Sequence, residues 1–348
     1  MINKNIDKII DYLSNKKFVV DFLNKNKKKL GIKYNIRNLE INIYHKMRSE
    51  RSKRLVVLYN FKDKNKIKKQ IAKIRIFKTN DLAKKAWMVN SLIWESAKHN
   101  CEYIAKPLYY FQNYNLFIYE LAKGKPLDKI LKEKVLSKNE LSKKIKIIAK
   151  YLSKLHKIKI NKAKKDNFLD NYNVTSQIDI FYKDLEKDKI DCRNDILKVI
   201  KQTKQKLKRF SKIKKNLIHG DFQVENFIFN NNNLQFIDFD LAEINDPLID
   251  VGNFLVQIYY GGIMGKDVDY YRETFLQEYF RCNKDFDKKF VNERINLYII
   301  IAQIRNISYH INIIKKHGGG FGAVNYDLLK IKNRLESLSK DPLLLFED

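Results

Sequence analysis

The segment His219-Gly220-Asp221-Phe222-Gln223-Val224-Glu225-Asn226 sets a carboxylate five residues ahead of a carboxamide. Ile237-Asp238-Phe239-Asp240 follows, with Asp238 twelve residues beyond Asn226. Oxygen donors of these types suit Mg²⁺, and one carboxylate is left over to take a proton. Phosphoryl transfer from a nucleoside triphosphate asks for such a set. The phosphate charges must be screened, and the attacking hydroxyl must be positioned and relieved of its proton late in the transfer. Asn226 and Asp238 are the candidate metal ligands and Asp221 the candidate base.

The surrounding chain has to bring these side chains together. Phe227-Ile228-Phe229 reads as a short strand, 230–233 as a turn and Leu234 to Ile237 as the returning strand. Asparagine tolerates positive φ, so the asparagine run suits a hairpin. A hairpin brings its ends together, so Asn226 and Asp238 are expected to meet, with Asp221 nearby. Upstream, Leu39 to Tyr44 alternates apolar and polar residues, and Arg54 to Phe61 and Ile71 to Phe77 form two further strand-like runs. Before them, Ile6, Ile9, Ile10, Leu13 and Phe18 recur at helical spacing. Asn80 to His99 reads as a helix capped by Asp81 or Asn80, and Leu116 to Leu121 as a strand closed by Gly124 and Pro126. Helical patterns then dominate, at Leu141 to His156 and Ile178 to Phe210. The expected fold class is α+β, a bilobal protein-kinase-like fold with its hinge near Glu120 to Gly124. The expected division is an N-terminal helical extension (1–35), a mainly β nucleotide-binding lobe (36–121) and a mainly α catalytic and acceptor-binding lobe (122–348).

Bulk composition narrows the class. The 348 residues suit two lobes around a cleft. Three cysteines without paired spacing argue against a disulfide framework or a cysteine-rich zinc site and fit a reducing cytoplasm. The N-terminus is Lys-rich without an apolar signal core, and no run is long enough to span a membrane. The formal charge of +30 would attract anions, yet the lysines are scattered instead of gathered in one arm. A phosphorylated or nucleotide ligand is therefore expected before a nucleic-acid partner. The glycine run of 318–322 lies between helical patterns and not after a strand, so it reads as an interhelical loop.

His219-Gly220-Asp221 with Asn226, then Ile237-Asp238-Phe239-Asp240, then Asp246-Pro247-Leu248-Ile249-Asp250, together resemble the aminoglycoside phosphotransferase/choline kinase-like family. Leu155-His156 at a helix end, and Ile118-Tyr119-Glu120 with Gly124 and Leu127, are similar to that family's flanking segments. The resemblance covers residues 40 to 260. A typical protein kinase carries Arg where Gly220 stands and Gly where Asp240 stands, so a small-molecule acceptor is expected over a protein one. The resemblance implies ATP and Mg²⁺ as cofactors, a hydroxyl of a sugar, glycoside or amino alcohol as acceptor, and Asp221 as base. It assigns Asn226 and Asp238 to the metal, with Asp240 assisting there or serving as a structural carboxylate. His219 orients the loop, and Asp250 braces it. Glu120 and Ala122 fall in the implied nucleotide-binding hinge, and Lys73 anchors the phosphates, with Arg75 on the same strand face as the alternative. The helix carboxylate that would pair with Lys73 falls near Met88, leaving Glu95 as the nearest substitute. No glycine stands between Gly31 and Gly124, so 47–54, with Ser49 and Ser52, takes the place of a glycine-rich phosphate loop. Other readings stay open: an atypical Ser/Thr protein kinase, a nucleotide-binding pseudokinase or scaffold and, more remotely, a basic nucleic-acid binder.

Overall fold

The computed structural model describes residues 5–48, 52–77, 80–97, 102–133, 136–159, 174–185, 192–210, 212–260, 267–284, 290–317 and 322–340. These residues form two compact units. The first joins Met1–Pro126 to Asn226–Ala242, and the second joins Leu127–Glu225 to Glu243–Asp348.

The first unit is built on an antiparallel sheet. Strands β1 (Leu39–Arg48), β2 (Ser52–Asp63), β3 (Lys66–Phe77), β5 (Pro107–Phe111) and β6 (Leu116–Glu120) run in the order β1-β2-β3-β6-β5, and the short β4 (Asn80–Asp81) pairs with β3. Alternation assigns the faces. Leu55, Val57 and Tyr59 of β2 and Ala72, Ile74 and Ile76 of β3 point into one core, which the helices α1 (Asn5–Tyr12) and α2 (Lys16–Lys25) close with Ile10, Val19 and Leu23. The opposite face carries Arg54, Lys73 and Arg75. Helix α3 (Leu82–Ser96) packs there through Ala83 and Ala86 against Phe117. Asp81 caps α3 by accepting the Lys84 N–H at 3.0 Å.

A second, three-stranded sheet in this unit carries the hairpin β9 (Phe227–Asn230) and β10 (Asn233–Phe236), flanked by β7 (Lys125–Pro126). Asn231 takes the positive φ of 55° that the turn requires. Gly124 sits at φ 131°, and a Cβ there would lie 2.1 Å from the Phe229 carbonyl oxygen. Only glycine lets the chain approach β9 this closely.

The second unit is helical. It contains α4 (Leu127–Lys132), α5 (Lys138–His156), α6 (Val174–Leu185), α7 (Arg193–Leu207), α8 (Leu248–Tyr260), α9 (Val268–Cys282), α10 (Val291–His317) and α11 (Gly322–Lys340). The expected helical stretch from Ile178 to Phe210 is thus two helices, α6 and α7. Helix α5 starts at a reciprocal capping box, Ser137 with Glu140. Helices α8 and α10 touch at Gly252, where a Cβ would come within 2.6 Å of the Tyr298 Cβ. Strands β8 (Asn216–Ile218) and β11 (Glu243–Asn245) pair and flank the loop holding Asp221.

Candidate active site

The first unit gathers four of the expected site residues. β10 ends at Phe236, and the chain turns through Asp238, which sits in the left-handed region at φ 67°, ψ 56°. A non-glycine residue held there costs about 1–3 kcal/mol, a strain that clusters at functional sites. A one-turn 3₁₀ helix, Phe239–Leu241, follows. Lys73 Nζ donates to Asp238 Oδ1 at 2.6 Å and to Asp240 Oδ1 at 2.7 Å. Arg75 Nη1 donates to Asp240 Oδ2 at 2.5 Å and reaches Asp238 Oδ1 at 3.4 Å. Burial alone would raise the Asp238 carboxyl, but the Lys73 and Arg75 charges overcome it and hold the group well below the usual carboxylate range. Asp240 is pushed upward by burial and by Asp238 beside it.

Lys73 therefore pairs with Asp238 and Asp240, and not with Glu95 as expected. Two carboxylates two positions apart on a tight turn supply the anionic partner that α3 does not. Lys73 and Arg75 also act together on one pair of acids. Asn226 is buried at the start of the hairpin, and its carbonyl accepts the Ile237 N–H at 3.1 Å. That bond continues the β9–β10 ladder and draws the two hairpin ends together, as expected. The donor set of two carboxylates and a carboxamide fits Mg²⁺, which takes few protein ligands and completes its shell with water and phosphate oxygens. Among the described residues no group of three or more His, Cys, Asp or Glu side chains could hold a metal ion alone. Glu120 ends β6, and its N–H bonds the Lys106 carbonyl at 2.9 Å. Ala122 packs with Ala105 and Ile228. Ser49 lies outside the described residues. Its neighbours Met47 and Ser52, expected in a loop, belong instead to the paired strands β1 and β2.

The second unit holds Asp221, and a buried carboxylate fixes its loop. Asp250 accepts the His219 N–H at 2.7 Å and the Gly220 N–H at 2.9 Å, and His156 Nε2 lies 3.0 Å from it. The other His156 nitrogen meets the Tyr279 hydroxyl at 2.9 Å. The His219 ring, fully buried, accepts the Asp221 N–H at Nδ1 and stacks edge-on against Phe222. Its ring thus packs against the loop that carries Asp221. Gly220, at φ 77°, makes the bend. A second buried set anchors the following helix: Asp246 accepts Nε and Nη2 of Arg294 at 2.7 and 2.6 Å, and the Tyr298 hydroxyl at 2.7 Å.

Asp221 lines a concave pocket of about 650 Å³, together with Phe181, Glu225, Asn253, Gln257, Arg305 and Tyr309. Arg305 Nη2 donates to Asp221 Oδ1 at 2.8 Å, and Gln223 Nε2 donates to Oδ2 at 3.2 Å. Burial pushes the Glu225 carboxyl up, and the nearby Asp128 and Asp221 add to this. Sequence reasoning missed Arg305, which lies inside the long α10 with no motif to mark it. Gln223 stood in the quoted motif, and its spacing from Asp221 was the available signal. Of the glycine run at 318–322, residues 318–321 lie outside the described residues, and Gly322 begins α11.

Solved structures share the fold at low identity. A choline kinase from Cryptosporidium parvum Iowa II superposes with a TM-score of 0.63 at 15% identity, covering 96% of this chain and 100% of that one. The amicoumacin kinase hAmiN, solved with AMP-PNP, Ca²⁺ and Ami, gives 0.60 at 13% identity over 95% and 96% of the two chains. APH(2″), solved with GDP and kanamycin, gives 0.54 at 13% identity over 92% and 99%. These likenesses show a kinase-like α+β fold. No curated protein matches the sequence significantly. Among the described residues no helix is long and apolar enough to cross a membrane. A model of the phosphotransferase enzyme family matches residues 97–288, more than half of the 348, and on that match the chain belongs to the phosphotransferase enzyme family.

Proposed function

We propose that this protein transfers the γ-phosphate of ATP to a hydroxyl of a small molecule, with Asp221 as the base. The observation that carries the reading is the placement of Asp221 on the wall of a pocket of about 650 Å³, a volume suited to a small ligand. Its loop is pinned from behind by Asp250, so the carboxylate is pre-set for a positioned hydroxyl. Asn226, Asp238 and Asp240 would hold Mg²⁺, and the metal when bound supplies screening of the phosphate charge and fixes the orientation of the γ-phosphate. Lys73 and Arg75 bring cations to the same acids, and the nucleotide complexes of structurally similar kinases support a nucleotide here. The first unit would take the nucleotide, with Glu120 and Ala122 at its base end, and the second unit the acceptor.

The acceptor class is a sugar, glycoside or amino alcohol. A choline kinase and kinases solved with amicoumacin or kanamycin share the fold and support that range. Within the pocket, Asp221 accepts the hydroxyl proton as the oxygen attacks, after the acceptor displaces Gln223 or Arg305 from one carboxylate oxygen. Glu225, Asn253 and Gln257 supply polar contacts, and Phe181 and Tyr309 supply apolar wall. Scarce cysteine supports a cytoplasmic setting. Thermal melting with ATP, with and without Mg²⁺, tests the nucleotide half. Wild type should gain stability only with both, and Asp238→Ala should lose that gain. A screen of hydroxyl acceptors for ADP release tests the chemistry. Asp221→Asn should lower kcat at least about a hundredfold. Unchanged turnover in that variant would remove Asp221 from the role of base.

A further inference from the structure

Arg54 is the direct cross-strand partner of Arg75 between β2 and β3. Side chains opposed in this way share a face, with Cβ atoms about 5 Å apart, and like charges so placed are destabilising. Lys73, two residues before Arg75, lies on the same face. Three cations thus converge on two carboxylates, Asp238 and Asp240. Lys73 and Arg75 already take both acids at 2.5–2.7 Å. Arg54 Nε is buried with no hydrogen-bond partner among the described residues. On β1, His45 lies opposite Val56, itself the partner of Lys73, and His45 Nε2 is likewise buried without a partner among the described residues. Two orphaned nitrogens, beside two carboxylates already taken by Lys73 and Arg75, mark a place short of an anion.

We propose that Arg54, paired with Arg75 across the sheet, binds the polyphosphate of the nucleotide and does the work for which this chain has no glycine-rich loop. The inference rests on the nucleotide reading of the same sheet face. A guanidinium presents a planar fork of N–H donors that matches two phosphate oxygens, and a strand holds that fork more rigidly than a loop would. The Arg54 fork can meet two phosphate oxygens at once, with the Arg75 charge beside it. Burial, and then the Arg75 charge, depress the Arg54 guanidinium, with Asp238 and Asp240 opposing them.

The test is calorimetric titration of ATP, inorganic tripolyphosphate and adenosine into wild type, Arg54→Gln and Arg54→Lys, with melting of each ligand-free protein. Arg54→Gln should bind ATP and tripolyphosphate at least about tenfold more weakly, while its adenosine affinity and ligand-free melting temperature do not fall. Arg54→Lys should recover part of the loss. Wild-type affinity for ATP and tripolyphosphate in Arg54→Gln would overturn the proposal, as would a parallel fall in adenosine binding and melting temperature. Arg54-dependent binding of tripolyphosphate with no binding of ATP would keep the anion site and end the nucleotide reading. No binding of either anion by wild type would end both.

Discussion

The Lys73 ammonium lies between two carboxylates, with its side chain 5% exposed and that of Asp240 1% exposed. Removing one partner from such a buried set costs more than the set contributes, because a charge is left without compensation. Lys73→Met should therefore destabilise the protein by about 3 kcal/mol, the low end for a broken buried pair because Arg75 still reaches Asp240. Adding Asp240→Asn to Lys73→Met should return part of that loss in urea unfolding, a coupling that independent sites would not show. Nucleotide-dependent stabilisation should vanish in both variants. The sequence made Lys73 visible through its place in an apolar strand, and the two aspartates through their motif. Their contact was hidden, because β3 and the hairpin lie 165 residues apart along the chain and no local pattern links them. The search for a carboxylate on α3 led to Glu95 for want of that long-range information. Arg54 was hidden for a different reason. In a chain with 70 lysines and arginines, one more basic residue carries no signal until the strand register sets it opposite Arg75.

Elements were easier to read than contacts, because each follows from local rules. The alternation of β2 and β3, the Asp81 cap and the asparagine turn are all visible within a few residues. What joins elements was less so. Asp63, at the end of β2, shows the difference. It accepts the backbone N–H groups of Lys33 at 3.1 Å and Tyr34 at 2.8 Å and pairs with Lys68 at 3.1 Å, tying the segment after α2 to the sheet. Burial would raise its carboxyl, but the Tyr34 and Lys33 N–H groups and Lys68 outweigh it and hold the group below the ordinary value. A carboxyl depressed in the folded state contributes stability above its unfolded pKa of about 3.9 and loses it as pH falls through the folded value. Asp63→Asn should cost about 1–3 kcal/mol at neutral pH. The gap in melting temperature between wild type and variant should hold constant from pH 7 to about 4 and close below it. A gap that persists to pH 2 would mean that the carboxylate charge is not what ties the segment down.

At the scale of the molecule, the charge of +30 is the most conspicuous property of the sequence and decides little about the fold. The two N-terminal helices matter more. As sequence they read as an extension ahead of the first strand, since amphipathic helices of 8 and 10 residues announce an apolar face without saying what covers it. In the structure, α1 and α2 are the other half of the sheet's core. Ile10, Leu13, Val19 and Leu23 are completely buried with Leu55, Val57 and Tyr59, and the Tyr59 hydroxyl donates to the Leu13 carbonyl at 2.8 Å. Asp7 and Asp11 of α1 reach Lys53, Lys46 and Arg48, pinning the helix to β1 and β2. Those pairs, partly open to solvent, fix orientation and add little stability, whereas the buried side chains add a great deal. Ile10→Ala and Leu23→Ala should each cost about 2–5 kcal/mol in urea unfolding. Asp11→Ala should cost no more than about 1 kcal/mol. Deleting residues 1–35 would bare one whole face of the sheet, and that truncation should aggregate instead of folding. A truncated protein that stays monomeric and cooperative, with the two alanine variants near wild type, would show the helices to be an appendage. The opposite result ties the strands that carry Lys73, Arg75 and Arg54 to a core that the first 25 residues complete, so that destabilising α1 or α2 should weaken ATP binding without touching a site residue.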